Sequence, residues 1–261
     1  MENLYEVTSQ LFKVSCHRAR IEILKALEEG DRSAKDLSEL LDASETYAHK
    51  HLHRLREEGL IRKDGKNFAL SSSGMIFINS LDGIEVVGRY KSLWESHSIE
   101  NVPGDLLKEM RVFNGTELIR SAPRVLEKIS SATSVSSERL LFSTDRMPRL
   151  LGTSPRDMVK DLLKVGGEGF WLIGPVPHFL SKHPNLRLPL GLEVRIAPMD
   201  NIYMGILVID DKEACVIFPD EKGSLDWDYA IYGTDPDFIS WAEKSFWNMY
   251  EKGEDIRTVK L

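Results

Sequence analysis

Residues 33 to 70 set out a short apolar stripe, a two-residue gap, a capped helix and a glycine-turned hairpin, an order that very few folds can accommodate. Leu37, Leu40 and Leu41 give a first short helix one apolar face, and Asp42-Ala43 leaves room only for a tight turn before Ser44. Ser44 is a natural N-cap, because its hydroxyl accepts from the free amides of the turn that follows. Ala48, Leu52 and Leu55 then recur at i, i+4 and i+7, the spacing of one buried helical face, and Gly59 ends the helix. Leu60 to Lys63 and Lys66 to Leu70 read as two short strands joined through Asp64-Gly65, a favoured pair for a tight hairpin. Helix, turn, helix and hairpin in this order predict a winged helix-turn-helix, a unit that places one helix in a DNA groove.

At 100° per residue the face opposite Ala48, Leu52 and Leu55 carries Thr46, Lys50 and His53, flanked by Tyr47, His49 and Arg54. Ser44, Thr46, Tyr47, Lys50, His53 and Arg54 are therefore the expected readers of double-stranded DNA in the major groove. Arg62, Lys63 and Lys66 lie on the wing, where they suit phosphates or the adjacent minor groove. Residues 1 to 75 hold 12 Lys and Arg against 13 Asp and Glu, so the domain is not basic as a whole. The positive field is local, and non-specific DNA affinity should be weak and salt-sensitive. His49, His51 and His53 suggest a metal site, but only His49 and His53 share a helical face and no paired cysteine accompanies them, so no metal is expected.

A chain of 261 residues with 42% hydrophobic content is long enough for two globular parts. The chain is expected to divide into a winged helix-turn-helix at 1–74, a linker or dimerisation helix at 75–100 and an α/β sensor or regulatory domain at 101–261. The helix opens at Ser73 and runs toward Trp94, with Phe77, Leu81 and Ile84 on one stripe and Val87, Tyr90 and Trp94 on its neighbour. Such a surface exceeds what one small domain covers, so a homodimer is expected through it. Cys16 and Cys215 fit neither a disulfide framework nor a zinc pattern, which implies a reducing compartment. The first residues lack the features of a signal peptide, and the longest apolar run, Tyr203 to Ile209, is too short to span a bilayer. A cytoplasmic protein without membrane contact is expected.

The C-terminal half alternates strand and helix signals, giving a mixed α/β fold class. Strands are expected at Thr116 to Ser121, Leu140 to Ser143, Gly169 to Ile173, Leu192 to Ile196, Met204 to Ile209 and Ala214 to Phe218. Helices are expected from Pro123, over Pro155 to Val165, and after Asp235-Pro236, where Phe238, Ala242, Phe246 and Met249 form one stripe. Asp226 and Asp228 are read as flanking Trp227 on one strand face. Trp171, Arg195, Trp227 and Tyr229 are expected to converge on one cleft for a small anionic metabolite, since guanidinium matches carboxylate or phosphate at two points. The rival reading makes Arg195 and Asp228 a structural ion pair and the aromatics plain core.

Residues 11 to 60, with Arg20-Ile21-Glu22-Ile23-Leu24 and His51-Leu52-His53-Arg54-Leu55-Arg56-Glu57-Glu58-Gly59-Leu60, resemble the ArsR-type winged-helix repressors. The stretch from Leu93 to Leu107, together with Asp226-Trp227-Asp228 and Phe238 to Tyr250, resembles archaeal regulators that carry a C-terminal methanogenesis regulatory protein domain. The resemblance implies a sequence-specific, DNA-binding transcriptional regulator with a ligand-sensing half. Similar archaeal regulators of sugar metabolism carry a sensor related to the phospholipase D sheet, whose enzymes use a His-x-Lys pair. None of the seven histidines here is followed two positions later by lysine. No catalytic residue and no cofactor is expected. The alternatives are a phosphodiesterase-like enzyme fused to a winged helix and a winged-helix protein-interaction module.

Overall fold

Ser33 opens the first helix of the helix-turn-helix with a reciprocal cap. Its hydroxyl accepts from the Asp36 amide at 3.2 Å while the Asp36 carboxylate accepts from the Ser33 amide at 3.0 Å. In the computed structural model, which describes residues 4–125, 127–128, 139–145, 168–173, 192–197, 202–256 and 258, this helix belongs to the first of two compact units, Met1–Ile84 and Glu85–Leu261.

The first unit contains α1 (Leu4–Ser15), α2 (Arg18–Glu28), β1 (Arg32–Ser33), α3 (Ala34–Leu40), α4 (Glu45–Glu57), β2 (Ile61–Asp64) and β3 (Asn67–Leu70). The strands form a small antiparallel sheet in the order β1-β3-β2. Ile23, Leu24, Leu37, Leu52, Leu55, Leu60 and Ile78 fill its core, each at most 1% exposed. Two short turns shape the motif. After α3 the Asp42 amide reaches the Glu39 carbonyl and that of Ala43 the Ser38 carbonyl, with Asp42 at φ 46°. After α4 the Gly59 and Leu60 amides reach the Arg56 and Leu55 carbonyls, with Gly59 at φ 71°. Both are left-handed helix stops, and buried Leu55 and Leu60 complete the second.

The hairpin corrects one expectation. Asp64 pairs with Asn67, so the loop is Gly65-Lys66 rather than Asp64-Gly65. Gly65 has φ 59°, which fits a turn needing glycine at its first central position.

α5 (Ser72–Arg89) spans the division between the units and stops before Trp94. Tyr90 leaves helical geometry at φ −106°, ψ 24°, and is 1% exposed, its hydroxyl donating to the Thr116 carbonyl at 2.9 Å. A short α6 (Lys91–Trp94) follows. Within α5, Ile78 and Leu81 are buried in the first unit, whereas Ile76, Ile84 and Val87 are 71%, 46% and 60% exposed. Leu81 is therefore core, and the open apolar stripe runs through Ile76, Ile84 and Val87.

In the second unit α7 (Gly104–Lys108) leads to an eight-stranded mixed sheet among the described residues. Its strands are β4 (Glu117–Arg120), β5 (Arg139–Thr144), β6 (Glu168–Ile173), β7 (Leu192–Ile196), β8 (Gly205–Ile209), β9 (Glu213–Ile217), β10 (Tyr229–Gly233) and β11 (Glu254–Asp255), ordered β11-β7-β6-β5-β8-β9-β10-β4. β5, β6 and β7 are parallel and the other pairings antiparallel. α8 (Pro236–Tyr250), capped by Asp235, buries Phe238, Trp241, Ala242, Phe246 and Met249 on one face of the sheet. The opposite face gathers Phe142, Trp171, Val194, Leu207, Ile217 and Val125. The expected helix over 155–165, and the side chains of Leu126 and Ile129, lie outside the described residues.

Candidate nucleic-acid interface

α4 owes its start to Ser44, whose hydroxyl accepts from the Tyr47 amide at 3.3 Å. Ala48, Leu52 and Leu55 are at most 1% exposed, which fixes the rotation of the helix. Thr46, His49, Lys50, His53, Arg54 and Arg56 are left open to solvent. His51 joins the buried side at 3% exposure. Its position was readable as the missing i+3 member of the 48, 51, 52, 55 pattern.

The basic groups on this surface are not equally available. Arg54 lies 3.3 Å from Glu57 and 3.1 Å from Glu58, and His53 Nδ1 lies 3.4 Å from Glu57. Arg62 sits 3.6 Å from Asp64 on the wing. Lys50, Arg56, Lys63 and Lys66 are exposed and, among the described residues, make no ion pair. Each exposed pair of this kind contributes about 0 to 1 kcal/mol, so Arg54, with two carboxylates, gives up more on meeting a phosphate than Arg62, with one. Tyr47 is 39% exposed, its ring packed edge-on to His51 at 4.5 Å, so only its outer part is free to meet a base. Arg56 was not among the expected readers. Its place one turn beyond the His49 and His53 line was the signal for it.

The residues expected to form a ligand cleft are not brought together. Trp171 packs against Phe142 at 5.4 Å on the face away from α8, and Trp227 joins the same apolar group. Arg195 lies on the other face, over the Tyr250 ring at 4.6 Å and donating to the Tyr250 carbonyl at 3.3 Å. Tyr229 also packs on the α8 side, but β10 and β7 stand five strands apart in the sheet. Val194 and Arg195 alternate across the strand, so the sheet itself separates Arg195 from the tryptophans. Arg195 is thus held by Tyr250, not Asp228.

Asp226 and Asp228 do not share a strand face either, because β10 begins at Tyr229. Asp226 accepts from the Asp228 amide at 3.0 Å and lies 3.2 Å from Nε2 of buried His97, while Asp228 accepts from the Ala122 amide at 3.0 Å. Both carboxylates are turn and loop ties. Among the described residues no group of three or more His, Cys, Asp or Glu is arranged to hold a metal, and no helix is long and apolar enough to cross a membrane.

A braced first helix, a capped second helix with its polar face open and a small basic wing define a winged helix-turn-helix of the DNA-binding transcription-regulator class. Residues 17–63 match the family described as bacterial regulatory protein, arsR family, so this domain is ArsR-like. No curated protein matches the chain. Among solved structures it is similar to TrmBL2, described as an archaeal chromatin protein with a novel mode of DNA binding, at 14% identity, 93% of this chain, 95% of that one and a TM-score of 0.43. NucT from Helicobacter pylori is similar at 11% identity over 54% of this chain and 98% of its own, with a TM-score of 0.40. HlyU from Vibrio cholerae is similar at 29% identity over 34% of this chain and 96% of its own, with a TM-score of 0.28.

Proposed function

We propose that the chain is a sequence-specific transcriptional regulator that binds its site as a homodimer, with α4 in the major groove, the wing on the backbone and the second unit as its regulatory half. The observation that carries the reading is the exposed face of α4, where Thr46 and Lys50, which makes no ion pair among the described residues, stand opposite the buried Ala48, Leu52 and Leu55. Ser44, Tyr47, His53 and Arg54 flank them, and Arg62, Lys63 and Lys66 supply phosphate contacts. The exposed stripe of Ile76, Ile84 and Val87 supports the dimer, since paired half-sites call for a two-fold protein. The resemblance of 93–107, 226–228 and 238–250 to archaeal methanogenesis regulatory proteins supports a regulatory, ligand-sensing role for the second unit. That role rests on the unit as a whole and not on the four-residue cleft.

Selection of bound duplexes from a random DNA pool tests the reading, and a two-fold symmetric consensus is the expected outcome. Recovery of unrelated sequences with no common element would leave a winged helix without a specific site.

A further inference from the structure

Beneath the first turns of α4 lies a cluster of rings that the DNA-facing side chains leave covered. The His51 ring, 3% exposed, sits 4.4 Å from that of His17 and 4.5 Å from that of Tyr47. His17 occupies the N-cap position of α2 without making a side-chain cap bond. Arg20 donates from Nε to His51 Nδ1 at 3.4 Å and from Nη1 to the Val14 carbonyl at 2.6 Å. Among the described residues, His51 Nε2 and His17 Nδ1 are buried without a hydrogen-bond partner.

An imidazole nitrogen that accepts from a guanidinium carries no proton, so His51 is neutral, with its hydrogen on Nε2. The groups that face it are His17 and Arg20 from α2 and Tyr47 and Lys50 from α4, while the α1 side offers the Val14 carbonyl already held by Arg20. Among the described residues no carboxylate acts on it. Burial first, then His17, Arg20 and Lys50, holds His51 below the ordinary histidine range.

Resting on the reading of α4 as the DNA-reading helix, we propose that the His17–His51 cluster makes specific DNA binding proton-sensitive. Protonated Nδ1 can no longer accept from Arg20, and the charged side chains that act on it, Arg20 and Lys50, are both positive, so the imidazolium leaves its place between α2 and α4. Ser44, Thr46 and Tyr47 lie within two turns of His51, and their pose shifts with it. His51 is a positioning residue in this scheme. A histidine held below its unfolded value contributes its full packing above about pH 6.5 and loses it as the pH falls below that value. Attraction of the chain to any phosphate backbone also varies with pH and salt regardless of sequence. The specific signal is therefore the ratio of affinities for matched and scrambled duplexes.

Fluorescence anisotropy with a selected duplex and its scrambled counterpart, from about pH 8 to about pH 5.5 at fixed ionic strength, reads that ratio. The parent should lose discrimination about tenfold across the range, a free-energy change of about 1.4 kcal/mol. His51→Gln retains an acceptor oxygen for Arg20 and should hold a constant ratio, whereas His53→Gln should retain the loss. A parent ratio that stays level or rises in acid overturns the proposal, as does a loss that persists in folded His51→Gln. Should that variant not fold, titration of the parent His51 ring by NMR decides, and a value at or above the ordinary one overturns it. Failure to bind any duplex at any pH removes the DNA reading and this proposal together, while binding with constant discrimination removes this proposal alone.

Discussion

Lys50 and Arg54 stand one turn apart on α4 in different states, one unpaired among the described residues and the other shared between Glu57 and Glu58. Lys50→Ala should therefore cost more than Arg54→Ala. If Lys50 makes a good base contact the loss is about 1 to 3 kcal/mol, and Arg54→Ala should fall below it because breaking its two carboxylate contacts offsets part of any DNA contact. Gel-shift titration of both variants on a selected duplex at one salt concentration checks the order, and the reverse order would mean that the carboxylates release Arg54 freely. The two helix stops differ in the same residue-level way. Gly59 adopts φ 71° without penalty, while Asp42 at φ 46° holds a conformation that costs a side chain about 1 kcal/mol. Gly59→Ala should destabilise the first unit by about 1 kcal/mol and Asp42→Gly should leave it unchanged or more stable, read from urea midpoints. The cysteines also separate cleanly. Burial pushes the Cys215 thiol up to about 12, whereas Cys16 is exposed. A thiol reagent at mildly alkaline pH should label Cys16 alone in the folded protein and both after denaturation.

At the scale of the element, α3 rests on a cap and the wing on a turn. Ser33→Ala removes the hydroxyl side of the reciprocal cap, leaving the backbone amide of residue 33 on the Asp36 carboxylate, and should cost about 1 kcal/mol of first-unit stability by thermal or urea unfolding. The Ser33 hydroxyl and amide hold the Asp36 carboxyl below the usual carboxylate range. Its contribution is therefore present at neutral pH and is lost as acid protonates it. On the wing Lys66 occupies the hairpin loop, exposed and one residue beyond Gly65. Lys66→Ala should weaken binding to all duplexes alike and reduce the salt slope by about one unit, provided the lysine holds a phosphate. The helix-turn-helix was legible in the sequence because Leu37, Ser44, Ala48, Leu52 and Gly59 each answer a local requirement of periodicity, cap or stop. The hairpin loop shifted by one residue, since either Asp64-Gly65 or Gly65-Lys66 meets the demand for glycine and only strand register chooses between them. The end of α5 was not legible. Tyr90 continues an apolar stripe, yet its hydroxyl is drawn to Thr116, 26 residues away. The supposed cleft failed for a related reason: aromatic strand residues do not reveal which face they take or how far apart their strands lie in the sheet. Arg195 and Trp171 are on adjacent strands, but on opposite faces.

For the molecule as a whole, charge and apolar surface point to how DNA is engaged. The chain carries a net charge of −7, so its overall field opposes approach to DNA, and the local field around α4 and the wing works against that. An α4 and wing with four exposed basic groups that make no ion pair among the described residues offer few phosphate contacts, and doubling the reader is the direct way to gain affinity and a longer site. The surface proposed for that doubling lies along α5, where Ile76, Ile84 and Val87 are exposed beside Ser80 and Gly83, whose small size would let a second helix approach. Met75 at 54% exposure, and Tyr5 and Phe12 on α1 at 84% and 48%, add apolar surface that an isolated first unit leaves in water. A dimer should therefore appear in light scattering at about 59 kDa, twice the 29.7 kDa of one chain. Ile76→Glu combined with Ile84→Glu should return the mass to that of one chain without unfolding it, because neither side chain belongs to the core. Leu81→Glu would instead bury a charge among Leu24, Leu27 and Ile78, and its failure to fold would say nothing about assembly. The folded monomeric variant should bind an isolated half-site as the parent does and lose most of its affinity for the paired site. A parent that stays at 29.7 kDa across a wide concentration range, and binds paired and single half-sites equally, would remove the dimer and leave α5 to another partner.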